Sequence, residues 1–207
     1  YVSVIAPNMA RLYKLWYRDN DQMLFDSVPE TLAEIEEARR FGLALNKADG
    51  DLLRAQMAIH AADTQTPETL KAAQLAAAEL GNGIHIHLAQ RAREVEACER
   101  LWGMRPVAWL ESQGFFSQPV IAAHLYKMDL VQDPPILKKH GVSFVHCACM
   151  AGLLHQSSQP FPEALASGLR FWMRCGRRRS AAPGCCGATI WDDWRLGQRP
   201  ISARLKW

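Results

Sequence analysis

Residues 83–88 read Gly-Ile-His-Ile-His-Leu, a short β-branched run that predicts a strand. The residues from Arg93 to Leu101 predict a helix directly after it. A strand followed by a helix is one βα unit, and repeated βα units build a parallel sheet covered by helices. This stretch therefore predicts an α/β fold.

The same rhythm extends from about residue 50 to residue 170. Thr66 is a predicted N-cap with Pro67 at the first helical position, and Gly81 is a typical helix stop. Further strands are predicted at 53–60, 119–124, 142–146 and 169–173, and further helices at 26–40, 106–113, 133–140 and 162–168. No strand is predicted ahead of the helix that starts near Asp26.

Four of the seven histidines fall at the ends of predicted strands: His60, His87, His124 and His146. One strand-end histidine is more often a hydrogen-bonded core residue than a ligand. Histidines at the ends of four successive predicted strands favour metal ligands instead. Neutral imidazole is the commonest nitrogen ligand for Zn²⁺. His85 points to the same strand face as His87 but lies further from the strand end, so it is interpreted as packing.

Several segments resemble the amidohydrolase superfamily, in its branch of deaminases and s-triazine chlorohydrolases. They occur in order and with consistent spacing, and they lie at 59–64, 83–96, 105–112, 121–124, 140–147 and 160–168. The resemblance implies a partial (β/α)₈ TIM-type barrel of about strands 3–8. Because a whole barrel takes about 250 residues, a chain of 207 residues is expected to be part of one.

The resemblance also implies roles for individual residues. His87 and His124 would ligate one Zn²⁺ or Fe²⁺, with His124 also acting at the bound water, and His60 and His146 would line the substrate pocket. The reaction would be hydrolysis of a C–N bond, which is a deamination, or of a C–halogen bond. Its substrate would be an amino-substituted heterocycle of the purine, pyrimidine or s-triazine type.

The chain departs from this family at its catalytic carboxylates. Gln90 occupies the position of the family's acid/base Glu, and an amide cannot take and return a proton. The family's strand-1 His-x-His pair would lie upstream of Tyr1, and its strand-8 Asp should fall near Gly176, where no Asp stands. A truncated, non-catalytic paralogue that only binds a partner, or has no function, is therefore the alternative to a hydrolase.

Two domains are expected, a partial barrel over residues 1–173 and an atypical basic segment over 174–207. No apolar run reaches the roughly 18 residues of a membrane span. The run Arg177-Arg178-Arg179 lacks the aromatic interleaving of a nucleic-acid site, so neither a membrane nor a nucleic acid is an expected partner.

Six unevenly placed cysteines favour the reducing cytoplasm. The open edges of a partial barrel favour a homo-oligomer.

Overall fold

The fold is described from a computed structural model of the chain, which describes residues 2–6, 21–48, 54–147, 164 and 166–172. Strands and helices alternate through most of this part. The strands are β1 Val2–Ala6, β2 Ala55–Ala61, β3 Ile84–Leu88, β4 Val120–His124, β5 Ser143–Val145 and β6 Arg170–Trp172. The helices are α1 Gln22–Asp26, α2 Val28–Ala48, α3 Pro67–Leu80, α4 Ala92–Trp102, α5 Pro106–Ser112 and α6 Asp133–Lys139, with 3₁₀ turns at Ala62–Thr64 and Phe115–Ser117.

The six strands form one sheet in the order β1-β2-β3-β4-β5-β6, and every neighbouring pair is parallel. Strands that follow one another in sequence are also neighbours in space, as consecutive strands of a (β/α)₈ barrel are. Because all strands run the same way, their carboxyl ends meet at one edge of the sheet. We call this edge the C-terminal edge.

The two faces of the sheet carry different side chains. Residues of β2, β3 and β4 that alternate along each strand, such as Met57, Ile86 and Ala122, belong to one buried apolar cluster with residues of α3 such as Leu70. The intervening residues, including His85 and His87, lie on the opposite face and are absent from that cluster. The helix-covered face is therefore the core, and the opposite face carries His85 and His87.

Local sequence signals explain the boundaries of α3. The Thr66 hydroxyl accepts a hydrogen bond from the Thr69 N–H at 3.3 Å, and the Thr69 hydroxyl accepts one from the Thr66 N–H at 2.9 Å. Pro67 occupies the first turn, and Gly81 ends the helix at a left-handed φ of 76°. These predicted signals are confirmed.

Two predictions were incomplete upstream of residue 54. Helix α2 continues beyond Arg40 to Ala48, because Gly42 lets it approach α3: a Cβ at Gly42 would lie 2.8 Å from Leu80 Cδ2. That packing outweighs the roughly 1 kcal/mol by which glycine disfavours a helix interior. Strand β1 was missed, and it pairs along its length with β2, from Val2 with Ala55 to Ala6 with Ile59.

The described part leaves some predictions outside it. The predicted basic segment 174–207 and most of the predicted helix 162–168 lie outside the described residues, so the division at residue 173 stays a prediction. Among the helices that the structure describes, none is long and apolar enough to cross a membrane.

Candidate metal and catalytic site

His87 and His124 come together at the C-terminal edge. The Nε2 atom of His124 lies 3.0 Å from Nδ1 of His87, and the two ring centroids are 4.9 Å apart. His87 lies next to last in β3, and His124 is the last residue of β4, the neighbouring strand. The structure thus joins two residues that the sequence places 37 positions apart.

The backbone at His124 explains how its ring reaches His87. In the sheet register His124 pairs with Leu88, which faces the helices, so regular alternation would direct His124 towards the helices as well. Instead the chain turns at φ 81° at His124 and φ 52° at Leu125, in the left-handed region that non-glycine residues rarely adopt. This turn places the imidazole on the His87 side.

His60 and His85 complete a group that we call the histidine cluster: His60, His85, His87 and His124. The His60 ring centroid is 5.4 Å from that of His87, and the His85 centroid is 6.3 Å from it. His60 is the extra residue of a register shift, since Ile59 pairs with Ile86 but Ala61 pairs with His87. Such a bulge redirects a side chain. His85, interpreted from sequence as packing, also lies in ring contact with the cluster.

His146 and Tyr126 lie on the β5 side of the site. His146 directly follows β5, and its ring centroid is 6.5 Å from that of Phe144. The Tyr126 ring centroid lies 5.1 Å from that of His124, and the Tyr126 hydroxyl donates a hydrogen bond to the Cys147 carbonyl at 2.8 Å. Tyr126 was not singled out from sequence, because it lies two residues beyond the predicted strand end.

Burial keeps the cluster neutral at pH 7. It lowers the pKa of His60 to about 4, and the neighbouring His87 and Arg91 add to the effect. Burial followed by repulsion from His87 likewise lowers the pKa of His124 to about 4. The pKa of His87 is lowered by burial and by His85, and burial lowers that of His85. A neutral imidazole has the free lone pair that a metal ligand needs.

The facing nitrogens of His87 and His124 fit two positions of a tetrahedral zinc site. The 3.0 Å between these nitrogens is a hydrogen-bond distance, and it is close to the roughly 3.3 Å that would separate two ligands at the usual Zn–N distance and a tetrahedral angle. In the part of the chain that the structure describes, no group of three or more His, Cys, Asp or Glu residues is arranged to hold a metal. Within the described residues, the pair therefore offers two facing imidazole nitrogens to a metal.

Gln90 lies in the short connection between β3 and α4, three residues after His87. Its backbone N–H donates to Glu94 Oε2 at 2.7 Å, and the Ala89 N–H donates to Glu94 Oε1 at 2.9 Å. Ala89 adopts a left-handed φ of 48°. Glu94 was not among the residues predicted from sequence. The sequence signal for Glu94 was its position as the third residue of a helix that follows a candidate site.

Comparison of the sequence with known proteins points to one family. The sequence model of the amidohydrolase family matches residues 6–176. A 5-methylthioadenosine/S-adenosylhomocysteine deaminase from Pelotomaculum thermopropionicum is 34% identical over 134 residues, which are 65% of this chain and 31% of that protein. A 5'-deoxyadenosine deaminase from Methanopyrus kandleri is 33% identical over 136 residues, 66% of this chain and 31% of that protein. The chain thus matches about a third of the length of these relatives.

Solved structures show the same fold. An adenosine deaminase from Xanthomonas campestris with bound zinc superposes with a TM-score of 0.60 at 22% identity, covering 68% of this chain and 31% of that one. A guanine deaminase from C. acetobutylicum with bound guanine gives 0.62 at 14%, covering 69% and 34%. An atrazine chlorohydrolase from Arthrobacter aurescens gives 0.57 at 18%, covering 67% and 31%.

These likenesses confirm the predicted fold, a parallel α/β sheet corresponding to part of a (β/α)₈ barrel. They also confirm the superfamily that the sequence resembles. The chain belongs to the amidohydrolase family.

Proposed function

We propose that this chain carries part of the active site of a metal-dependent hydrolase that deaminates an amino-substituted nitrogen heterocycle. The observation that carries the proposal is the pair His87 and His124, whose ring nitrogens face each other across 3.0 Å at the C-terminal edge. Active sites of (β/α)₈ enzymes lie at this end of the strands. Both imidazoles are neutral at pH 7, as a metal ligand must be.

The four strand-end histidines have the following roles in this proposal. His87 and His124 would hold one divalent metal, Zn²⁺ or Fe²⁺, and His60 and His146 would contact the substrate. A bound metal would supply Lewis-acid activation of water at neutral pH. His60 is well placed for its role because its ring lies against that of His87, within reach of a molecule bound at the pair.

Deamination is favoured over cleavage of a C–halogen bond. The two relatives above, at 34% and 33% identity, are both deaminases of adenosine derivatives. The atrazine chlorohydrolase is only 18% identical, so its likeness concerns the fold alone. An aminopurine nucleoside is therefore the first substrate class to test, ahead of pyrimidines and s-triazines.

A second candidate function rests on Gln90. The amide at this position cannot shuttle a proton, and loss of a general acid or base lowers the rate by about 10²–10⁴. A chain that keeps the metal ligands but lacks the acid/base group would bind a heterocycle without turning it over. This non-catalytic paralogue is the alternative to the hydrolase.

Zinc titration by calorimetry tests the proposal, with His87→Gln as the disrupted variant. His140→Gln is the matched control, because His140 lies at the opposite end of the sheet, 3.0 Å from Glu111 Oε1. We expect the chain and the His140 variant to bind about one zinc, and the His87 variant to bind at least about tenfold more weakly. Equal affinity of all three proteins, or less than about a tenth of an equivalent bound to the chain, would contradict the site.

A further inference from the structure

We infer that Glu94 is a positioning residue that fixes the direction of residue 90 at the catalytic edge by binding the backbone around it. The inference rests on the proposed function, because residue 90 occupies the family's acid/base position. The hydrogen bonds of Glu94 are to backbone groups rather than to the histidine cluster. Its carboxylate acts through the main chain of the connection between β3 and α4.

The carboxylate of Glu94 binds two successive backbone N–H groups. Oε1 accepts from Ala89 at 2.9 Å and Oε2 from Gln90 at 2.7 Å, and a third backbone hydrogen bond comes from Ala62 in the turn after β2. Glu94 is 4% exposed, so water competes little for these bonds. Burial and the nearby Asp63 raise the pKa of Glu94 to about 8, while the backbone hydrogen bonds from Gln90, Ala89 and Ala62 favour its ionised form. One side chain therefore ties together the connections that follow β2 and β3.

This arrangement differs from ordinary helix capping. Arg91 is the N-cap of α4, so Glu94 occupies the third helical position. In a capping box, a Glu at that position accepts from the N–H of the N-cap residue. Here the carboxylate accepts instead from the two residues before the N-cap, Ala89 and Gln90. The contact thus organises the connection that leads into the helix.

The connection itself is strained and is held from both sides. Ala89 has φ 48°, a conformation that costs an L-residue roughly 1–2 kcal/mol. On the β4 side, the Leu88 carbonyl accepts from the Leu125 N–H at 2.9 Å, and the Ala89 carbonyl accepts from the Lys127 N–H at 2.8 Å. On the other side Glu94 holds the two N–H groups. With both sides fixed, the backbone at residue 90 has one direction in which to project its side chain.

A fixed direction matters for the chemistry proposed. A general acid or base must come within about 2.6–3.2 Å of the proton that it transfers. A displacement of about 1 Å can lower the rate about 100-fold. Loss of the Glu94 contacts would therefore impair turnover by an acid/base group at position 90 and leave ground-state binding of substrate largely intact.

The experiment compares Glu94→Gln with Glu96→Gln, which removes an exposed carboxylate from the same helix. A Gln side chain has one oxygen, so it cannot give each of the two N–H groups an oxygen of its own and directs an NH₂ group at one of them. The first readout is amide hydrogen exchange at Ala89 and Gln90. We expect Glu94→Gln to raise the exchange rate of these two amides at least about tenfold and to leave the amides of β3 and β4 unchanged. Glu96→Gln should leave all of these exchange rates unchanged.

The second readout is steady-state kinetics in the Gln90→Glu background. Adding Glu94→Gln is expected to lower kcat at least about tenfold with KM changed less than about twofold, whereas adding Glu96→Gln changes neither. If Glu94→Gln fails to fold, Glu94→Asp replaces it. That variant keeps the charge but retracts the carboxylate by about 1.5 Å, so the same losses are expected.

The two readouts separate the possible failures. Unchanged exchange at Ala89 and Gln90 would overturn the inference, whatever the activity. An unchanged kcat, with the exchange raised, would overturn the positioning role and leave Glu94 a structural residue. Absence of hydrolysis in Gln90→Glu itself would count against the proposed function and the positioning role together, while exchange would still report whether Glu94 holds the connection.

Discussion

Two residues of the histidine cluster owe their positions to local departures from regular strand geometry. His60 is the extra residue of a bulge and His124 has a left-handed φ of 81°, and Ala89, two residues after His87, is also left-handed. Each departure costs free energy that the surrounding hydrogen bonds must offset. Strain of this kind concentrates at functional sites, and here it lies along the C-terminal edge.

The strain at Ala89 predicts an unusual response to glycine. Ala89→Gly loses a buried methyl group but relieves the left-handed φ, whereas Ala97→Gly loses a buried methyl group from the interior of α4. We expect Ala89→Gly to be about 1–2 kcal/mol less destabilising than Ala97→Gly. Urea unfolding monitored by circular dichroism measures both. Equal losses of unfolding free energy would show that Ala89 is unstrained.

At the scale of elements, the strands are placed by close backbone contacts at their amino ends as well as by packing. Gly83 has φ 78°, and a Cβ there would lie 2.2 Å from the Pro119 carbonyl oxygen. The same oxygen accepts from the Ile84 N–H at 2.8 Å, where β3 and β4 begin. Gly83 is therefore required for the register that brings His87 beside His124.

Two glycines of the same turn allow a controlled test. Gly81 has nearly the same φ, 76°, but nothing lies within 4 Å of a Cβ there. We expect Gly81→Ala to cost about 1 kcal/mol from backbone strain alone. Gly83→Ala should cost at least about 3 kcal/mol, because the clash with a backbone oxygen adds to the same strain. Thermal and urea unfolding measure the difference, and similar losses would contradict the close contact.

The sequence predicted elements well where local signals specify them. The capping residues Thr66 and Gly81 fix both ends of α3, and β3 and β4 were predicted to within one residue because short β-branched runs are bounded by Gly or Pro. Strand β1 was missed because its five residues gain their order from pairing with β2, a contact distant in sequence. Similarly, the extension of α2 depends on its packing with Leu80.

Parts of the candidate site were less accessible to prediction. The strand-end histidines could be found from their spacing and from the family resemblance. Their meeting at 3.0 Å, however, depends on the backbone turn at His124. No local sequence signal predicts the left-handed backbone conformation of His124 or Ala89. Glu94 was missed for the same reason, since its partners are backbone groups.

At the scale of the whole molecule, the buried histidines link stability to pH. The pKa of His60 is lowered from 6.5 to about 4 in the folded chain, so the unfolded chain binds a proton more readily between these values. Stability is therefore fully present above about pH 6.5 and is lost as the pH falls towards 4. The full shift corresponds to about 3 kcal/mol.

His60→Gln should remove the contribution of His60 to this dependence. Between pH 7 and pH 4.5 we expect the variant to lose about 2–3 kcal/mol less unfolding free energy than the unsubstituted chain. Urea unfolding at a series of pH values measures the effect. Parallel pH curves for the two proteins would show that His60 gains no protection from burial.

The sheet also predicts self-association. Among the strands that the structure describes, β1 and β6 each have one neighbour, and such edges offer unpaired backbone groups to another chain. We expect a homo-oligomer in light scattering coupled to size exclusion. A single monomeric species over a tenfold range of concentration would contradict this expectation.

The most direct test of the central claim is restoration of the acid/base group by Gln90→Glu. Gln113→Glu, in the turn after α5, is the matched control. With zinc present and an aminopurine nucleoside as substrate, we predict that Gln90→Glu raises the rate of ammonia release about 10²–10⁴-fold, whereas Gln113→Glu leaves it unchanged. A Gln90→Glu protein that binds zinc but releases no more ammonia than the unsubstituted chain would contradict the account.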